Sequence, residues 1–417
     1  MVQFQTLKGF RDFLGTEARQ RTWLMSVFRE VFESRGFEPL ETPALEYEEL
    51  LLGKYGVEAN KLIYGFEDRG GRRIALRYDQ TVPTARVAVQ YKNEITFPYK
   101  RYQIQPVWRS DKPQKGRYRE FVQCDFDIIG ASGPIADAQI LATVSAVFEK
   151  LGLNAVLKVN DREQLISLIR NAGVPETEIF SVIQTIDKLD KKTSSEVIEE
   201  LRAKQISQET CDVLFKSIQE AQPSANLVEI IRLAKTLGVS DSQLVFTPTL
   251  ARGLDYYTGM IFEMVIPNYT AGSVGGGGRY DGLIESLVGA QMPATGVAFG
   301  FDRIIDVLGE LKMFPANLTN STKVLVSIFS PENAEYSASV CRLLQKNNIP
   351  TELYSDPSRK LESQIKYATA KKIPFIIVAG PEEQQKRVVN LKNLETRGQE
   401  TVALSRLIDL LTDVDAH

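Results

Sequence analysis

From Tyr99 to Gly130 the chain runs YKRYQIQPVWRSDKPQKGRYREFVQCDFDIIG, and its positions alternate with a period of two on either side of a polar loop holding Pro113 and Gly116. This pattern predicts two strands joined as a hairpin. Tyr102, Ile104, Trp108, Tyr118, Val122, Cys124, Phe126 and Ile128 fall on one side, an apolar surface fit to pack into a core. The other side collects Arg101, Gln103, Gln105, Arg109, Arg117, Arg119, Phe121, Gln123, Asp125 and Asp127, with arginines toward the loop and carboxylates toward the far end. A solvated antiparallel ribbon would also alternate and also carry charge. Planar guanidinium and amide groups with one Phe suit phosphates and a stacked base better than the Lys, Glu and Thr of a solvated face, so this side reads as a substrate platform.

Helical spacing of Trp23, Leu24, Val27, Phe28, Val31 and Phe32 predicts an amphipathic helix over 17–35, stopped by Gly36, then a short strand over 37–40 and a turn at Pro43. A strand over 74–78 leads through Asp79-Gln80-Thr81 into a helix reaching residue 91; Asp79 at that junction either caps the helix or aims at a ligand. After the hairpin come a helix over 135–151, ended by Gly152, and a strand over 155–159. From Asp161 to Leu244 the pattern turns helical, with a capping box at Thr193 and Glu196, and reads as an insertion into a sheet that resumes over 250–266, 272–283 and 294–308. Within it, Gly275 to Gly278 lets a backbone pass close to a ligand, without the context of a dinucleotide or P-loop fingerprint. Arg303, just inside the last helix of this stretch, faces either an anion or solvent. Residues 312–322, polar with Pro315, read as a linker. Strands over 324–329, 351–354 and 375–378, alternating with helices over 333–346 and 361–371, predict an α/β unit with a largely parallel sheet. Its Arg359, Lys360, Lys366, Lys386, Arg387 and Lys392 either line an RNA-binding edge or keep the surface hydrated.

Composition narrows the chemistry. With 417 residues, 43% hydrophobic and 25% charged, the chain has room for two or three domains. No apolar run approaches a membrane span and the start, MVQFQTLKGFRD, has no signal-peptide core, so a cytoplasmic location is expected. Cys124, Cys211 and Cys341 are too scattered for a disulfide framework or a CxxC site. The one histidine is His417, which removes histidine triads, histidine general bases and most zinc sites. A net charge of −3 argues against a uniformly basic nucleic-acid binder.

The hairpin VWRSDKPQKGRYREFVQCDFDIIG resembles motif 2 of the class-II aminoacyl-tRNA synthetases, ATGVAFGFDRIIDVL resembles motif 3, and the helix-strand segment with Pro43 resembles motif 1. ARGLDYYTGMIFE and GGGGRYDGL are similar to signatures of one family in that class, the histidyl-tRNA synthetases, and the resemblance covers essentially the whole chain. It implies an α+β catalytic domain with a mostly antiparallel sheet over 1–160 and 245–311, a helical insertion over 161–244, a linker over 312–322 and a C-terminal α/β anticodon-binding domain over 323–417. The implied activity is ATP-dependent ligation of L-histidine to its tRNA through histidyl-adenylate. ATP would come with Mg²⁺, no metal ligand is assigned to the protein, and a homodimer is implied with motif 1 at its interface. Carried residue by residue, the resemblance puts Arg109 and Arg252 at the α-phosphate as catalytic groups and Arg117 and Arg303 toward the outer phosphates. Phe121 would lie against adenine and Asp111 at its amino group. Asp79, Thr81 and Gln123 would hold the substrate α-amino group, Asp127, Tyr257 and Tyr280 would surround the imidazole, and Tyr256 joins the histidine-binding set. Lys112 and Gln114 would face the tRNA acceptor end. In many bacterial members Glu stands where Asp79 and Asp127 stand here.

Three relatives of that kind compete: a catalytically silent paralogue that regulates the first enzyme of histidine biosynthesis, a synthetase-like RNA sensor, and another class-II ligase for proline, threonine or glycine. The C-terminal domain and the arginine of ARGLDYY favour an enzyme over the first. A carboxylate attacking a phosphorus is already a nucleophile, so the first step needs no general base and the scarcity of histidine fits.

Overall fold

The computed structural model describes residues 4–52, 62–113, 117–252, 256–267, 269, 272–289 and 291–413. The chain divides into two compact units, Met1–Asp12 with Thr22–Met313 and Phe13–Arg21 with Phe314–His417.

In the first unit the described strands are β1 (Glu38–Pro39), β2 (Leu45–Tyr47), β3 (Tyr64–Glu67), β4 (Arg73–Leu76), β5 (Tyr99–Trp108), β6 (Glu120–Ile129), β7 (Val156–Asp161), β8 (Leu244–Phe246), β9 (Met260–Val265), β10 (Gly275–Arg279) and β11 (Ala294–Gly300). Eight of them form one sheet in the order β1-β5-β6-β11-β10-β9-β7-β8, and β2-β4-β3 form a small second one. Neighbours from β5 to β7 run antiparallel, while the outer pairs β1 with β5 and β7 with β8 are parallel. The sheet is therefore mostly antiparallel, as expected.

Cross-strand register sorts the sheet into two faces. Tyr102, Phe126 and Val297 stand side by side on the rear, as do Ile104, Cys124 and Phe299. The Gly15–Ser34 helix lays Phe28 and Phe32 on this face, with ring centroids 4.9 Å from Phe299 and 4.8 Å from Phe126. Phe37 meets Phe126 edge-on at 4.9 Å, and Phe148 of the Pro134–Lys150 helix reaches Phe299. Each such ring, fully buried, contributes roughly 1.5–3 kcal/mol. The helix stops where its sequence says: Gly36 adopts φ 77°, the left-handed conformation that favours glycine.

The front face departs from the open platform that alternation alone suggests. Arg101, Gln103, Gln123, Asp125 and Asp127 are all buried. Nor are the charges sorted along the ribbon, since Arg101 stands directly opposite Asp127. Gln80 Nε2 donates to the carbonyls of Gln105 and Gln123, at 2.9 and 3.0 Å, tying the start of the Thr81–Gln90 helix to the hairpin. Glycines pave the centre. A Cβ on Gly296 would lie 1.7 Å from Asp127 Oδ1, one on Gly276 2.0 Å from Arg252 Nη1, and one on Gly278 2.9 Å from the Tyr257 ring. The glycine run thus lets polar side chains lie flat on the sheet.

The helices Arg162–Asn171, Ile179–Ile186, Ser194–Ala203 and Gln208–Glu220 share a core that includes Leu165, Ile169, Val182, Ile183, Val197, Leu201 and Leu214. The capping box of Thr193 and Glu196 is present. The Ala225–Thr236 helix instead packs on Pro134–Lys150, and the helical run ends before β8, which joins the sheet beside β7.

The second unit corrects an expectation. Its sheet has the order β13 (Thr351–Leu353), β12 (Val324–Val326), β14 (Phe375–Val378), β15 (Val388–Asn393), β16 (Gln399–Ala403). Only β12 with its two neighbours is parallel, and β14-β15-β16 are antiparallel, so the sheet is mixed rather than largely parallel. The polar Asn390, Lys392 and Asn393 of VVNLKN hid β15, whose Val389 and Leu391 are buried and whose Lys392 is not. Three of the basic residues considered for an RNA edge lie in surface ion pairs, Arg359 with Asp356, Lys366 with Glu362 and Lys386 with Glu382.

Two substitutions test this layering. Phe126→Ala empties the rear face and is expected to cost about 3–5 kcal/mol in urea unfolding. Gly296→Ala drives a methyl into the Asp127 carboxylate and is expected to cost about 1–3 kcal/mol by breaking its buried contacts; an unchanged unfolding midpoint would mean that nothing rests on that part of the floor.

Candidate active site

At the loop end of the hairpin, Arg109, Asp111, Arg117, Tyr118 and Phe121 meet Gly300, Phe301, Asp302 and Arg303 around a cavity of about 350 Å³. Arg109 Nε donates to the Tyr78 carbonyl at 2.9 Å, and its guanidinium carbon lies 5.1 Å from the Phe121 ring centroid. Arg303 Nη1 donates to the Ser273 carbonyl at the mouth of β10. Arg119 Nε holds the loop by donating to the Asp111 carbonyl at 3.1 Å. Arg11 was not singled out from sequence, yet it pairs with Asp302 at 2.7 Å and sits 3.2 Å from the Tyr118 centroid. Three guanidiniums and the aromatic side chains of Tyr118, Phe121 and Phe301 around a cavity of this size suit a flat ring carrying phosphates. Five residues expected at ATP therefore share one cavity: Arg109, Asp111, Arg117, Phe121 and Arg303. Lys112 is exposed beside them. Gln114 lies outside the described residues.

From this cavity β6 leads inward through Gln123, Asp125 and Asp127. Arg101 pairs with Asp127, and Tyr280 donates its hydroxyl to Asp127 Oδ1 at 2.5 Å. Burial pushes the Asp127 carboxyl up against the pull of Arg101, and burial together with Asp127 pushes the Tyr280 phenol well up, so the tyrosine keeps its proton. Gln123 Nε2 donates to Asp125 Oδ2 at 2.8 Å. Asp79 is buried and its Oδ1 accepts a 3.4 Å bond from the Val82 amide, while Gln80 holds the N-cap position. Thr81, half-buried, begins the helix beside it. Alternation placed Arg101 and Asp125 on this face but assigned neither a role.

Arg252 does not line this cavity. Its backbone takes φ 48°, unusual for a residue with a Cβ, and buried Arg162 holds it there by donating from Nη1 to the carbonyls of Ala251 and Arg252 at 2.7 and 3.1 Å. The Arg252 guanidinium lies over Gly276, with long bonds of 3.5 Å to the Phe262 carbonyl and 3.4 Å to Glu263, and 5.6 Å from the Tyr257 centroid. Tyr256 packs 4.6 Å from Tyr257 and 6.1 Å from Tyr280. Arg252 thus joins the tyrosines rather than Arg109. Glu263 was legible as the one charge in MIFEMV; no local pattern marks Arg162.

Comparison with known proteins places this geometry. Residues 9–304 match the family Histidyl-tRNA synthetase and residues 323–413 match Anticodon binding domain. The histidine-tRNA ligase of Cytophaga hutchinsonii is 38% identical, with 97% of this chain and 98% of that protein aligned. That of Rhodopirellula baltica is 37% identical over 97% of this chain and 96% of its own. Among solved structures, histidyl-tRNA synthetase from Nostoc sp. PCC 7120 superposes with a TM-score of 0.86 at 29% identity, covering 99% of this chain and 100% of that one. The first match spans the hairpin, the glycine-paved strand and the turn from β11 into the Phe301–Glu310 helix, and on that ground the chain belongs to the histidyl-tRNA synthetase family.

Proposed function

We propose that the chain ligates L-histidine to its cognate tRNA at the expense of ATP. The histidine carboxylate attacks the α-phosphorus, pyrophosphate leaves and histidyl-adenylate forms. A terminal ribose hydroxyl of the tRNA then takes the histidyl group, and AMP leaves. One observation carries the reading: a single face of β6 joins the arginine-lined cavity to the Asp127–Tyr280 pair, six residues and about 20 Å away.

In this reading Phe121 stacks on adenine, Asp111 takes its amino group, and Arg117 and Arg303 meet the outer phosphates. Mg²⁺ enters with the nucleotide, bound through phosphate oxygens. Arg109 meets the α-phosphate from the hairpin side. Arg252 meets it from the other, and its present bonds of 3.4 and 3.5 Å are weak enough to be exchanged for a phosphate oxygen. Imidazole offers one N–H and one ring nitrogen, for which Asp127 and the hydroxyls of Tyr257 and Tyr280 are complementary partners, with Tyr256 packed behind them. Asp79, Thr81 and Gln123 surround the α-ammonium, which has three hydrogens to donate. No general base is needed for adenylate formation, because positioning and charge stabilisation suffice.

Lys112 and Gln114 would meet the tRNA acceptor end, and the unit after the 312–322 linker would read the anticodon. Residues 161–244 are taken as the insertion into a catalytic domain of 1–160 and 245–311, and the active form as a cytoplasmic homodimer. Among the described residues no helix is long and apolar enough to cross a membrane.

ATP–pyrophosphate exchange, measured with each standard amino acid in turn, is expected to respond to histidine, and charging of a histidine-specific transcript to follow. Exchange driven by a different amino acid, or by none, would overturn the reading. Asp127→Ala should abolish histidine-dependent exchange by leaving Arg101 and the ring N–H without an acceptor; wild-type-like exchange counts against the imidazole assignment. Arg252→Ala should lower kcat for adenylate formation about 10²–10³-fold with little change in the histidine KM. Equal losses in both would contradict a transition-state role.

A further inference from the structure

Hydrogen bonding on the buried front face leaves facing acceptors without a donor. Asp125 Oδ1, Gln103 Oε1 and Gln123 Oε1 are buried and have no hydrogen-bond partner. Their companion atoms are committed: Gln103 Nε2 donates to Thr42 Oγ1 at 2.8 Å, and Gln123 Nε2 donates to Asp125 Oδ2 at 2.8 Å. Gln103 and Asp125 are direct cross-strand partners, so two of the three orphan oxygens belong to facing residues. An amide oxygen and an ionised carboxylate can only accept, and a single proton on Asp125 Oδ1 satisfies both. Arg101 Nε and Nη1 are also without acceptors, so the guanidinium does not supply the missing hydrogen.

The surroundings favour that proton. Burial pushes the Asp125 carboxyl well above the usual range, Asp127 and Asp79 add to the effect, and only Arg101, already paired with Asp127, and the Gln123 amide oppose it. With its NH₂ held by Asp125 Oδ2, the Gln123 amide has one orientation, and its carbonyl oxygen is the acceptor left over. Gln80, bonded to the main-chain carbonyl of Gln123, keeps Asp79 and Thr81 beside it.

We infer that Asp125 is a positioning residue for the substrate α-amino group: as a neutral acid bridging Gln103 and Gln123, it turns Gln123 Oε1 toward the ammonium. With Asp79 and Thr81, three acceptors then meet three N–H donors. This rests on the proposed function, since it presumes an amino acid in the pocket.

Two variants separate the roles. Asp125→Asn can place its NH₂ on Gln103 and its carbonyl on Gln123, so it is expected to keep the wild-type histidine KM in pyrophosphate exchange. Asp125→Ala removes the bridge, and the histidine KM is expected to rise about ten- to hundredfold, with the ATP KM unchanged and kcat altered less. Inhibition by imidazolepropionate, which lacks the α-amino group, should be the same in all three proteins. Should Asp125→Ala fail to fold, Asp125→Val fills the volume without the polar atoms and takes its place. An Asn variant as poor as the Ala variant, an Ala variant with normal histidine KM, or an equal loss of imidazolepropionate would each overturn the inference alone. Absence of histidine-dependent exchange in the wild type would take the proposed function down with it.

Discussion

A guanidinium with 1% of its surface exposed has to be met by an anion, and Arg101 meets Asp127 directly across the β5-β6 pair. Removing one partner of such a pair leaves a buried charge uncompensated and costs about 3–5 kcal/mol, whereas the intact pair adds little net stability. Its value lies in register. A slip of one residue would set Arg101 against an apolar side chain and turn every rear-face aromatic to the front. Once Arg101 and Asp127 are opposed, the alternation along β6 puts Gln123 and Phe121 on the same face, and the hairpin delivers Arg109 beside Phe121. The next strand must then yield space, because the neighbour of Asp127 on β11 is Gly296 and any Cβ there would collide with the carboxylate. One ion pair thus dictates residue type on two strands and spacing on a third side of the site.

Much of this was legible in the sequence, and the physical reason is periodicity. Strong alternation over Tyr99–Gly130 marked both strands and both faces, and Gly36 and Gly152 marked helix ends that adopt positive φ. Periodicity says which residues share a face but not what covers it, so a buried polar surface was read as an open one. That Arg109, Asp111, Arg117, Phe121 and Arg303 share one cavity was legible through the resemblance of the hairpin and of the β11 turn to synthetase motifs, alternation alone leaving Arg303 open. The place of Arg252 was not, because it depends on a left-handed backbone secured by Arg162, ninety positions earlier in the chain. Arg11 escaped for the same reason, since its partner Asp302 is remote in sequence. In the second unit the hairpin of β15 and β16 was lost behind Asn390, Lys392 and Asn393 on one strand and Gln399, Glu400 and Thr401 on the other, and with it the antiparallel half of the sheet.

The front face also explains how a chain with one histidine, at its last position, suits this chemistry. From the cavity inward β6 presents Phe121 among the guanidiniums, then the Gln123 amide, then Asp125, then Asp127, whose charge Arg101 compensates. Asp79 adds a buried carboxyl group at the start of the Thr81–Gln90 helix, which Gln80 ties to β6. An amino-acid zwitterion placed on this face has one electrostatically sensible direction, its ammonium toward Asp79 and its carboxylate toward the arginines. In the proposed reaction that direction aims the carboxylate at the α-phosphate. The same gradient that selects the orientation therefore brings nucleophile and phosphorus together, and holding two reactants in line is worth more here than any proton transfer, because the attacking group has no proton to lose.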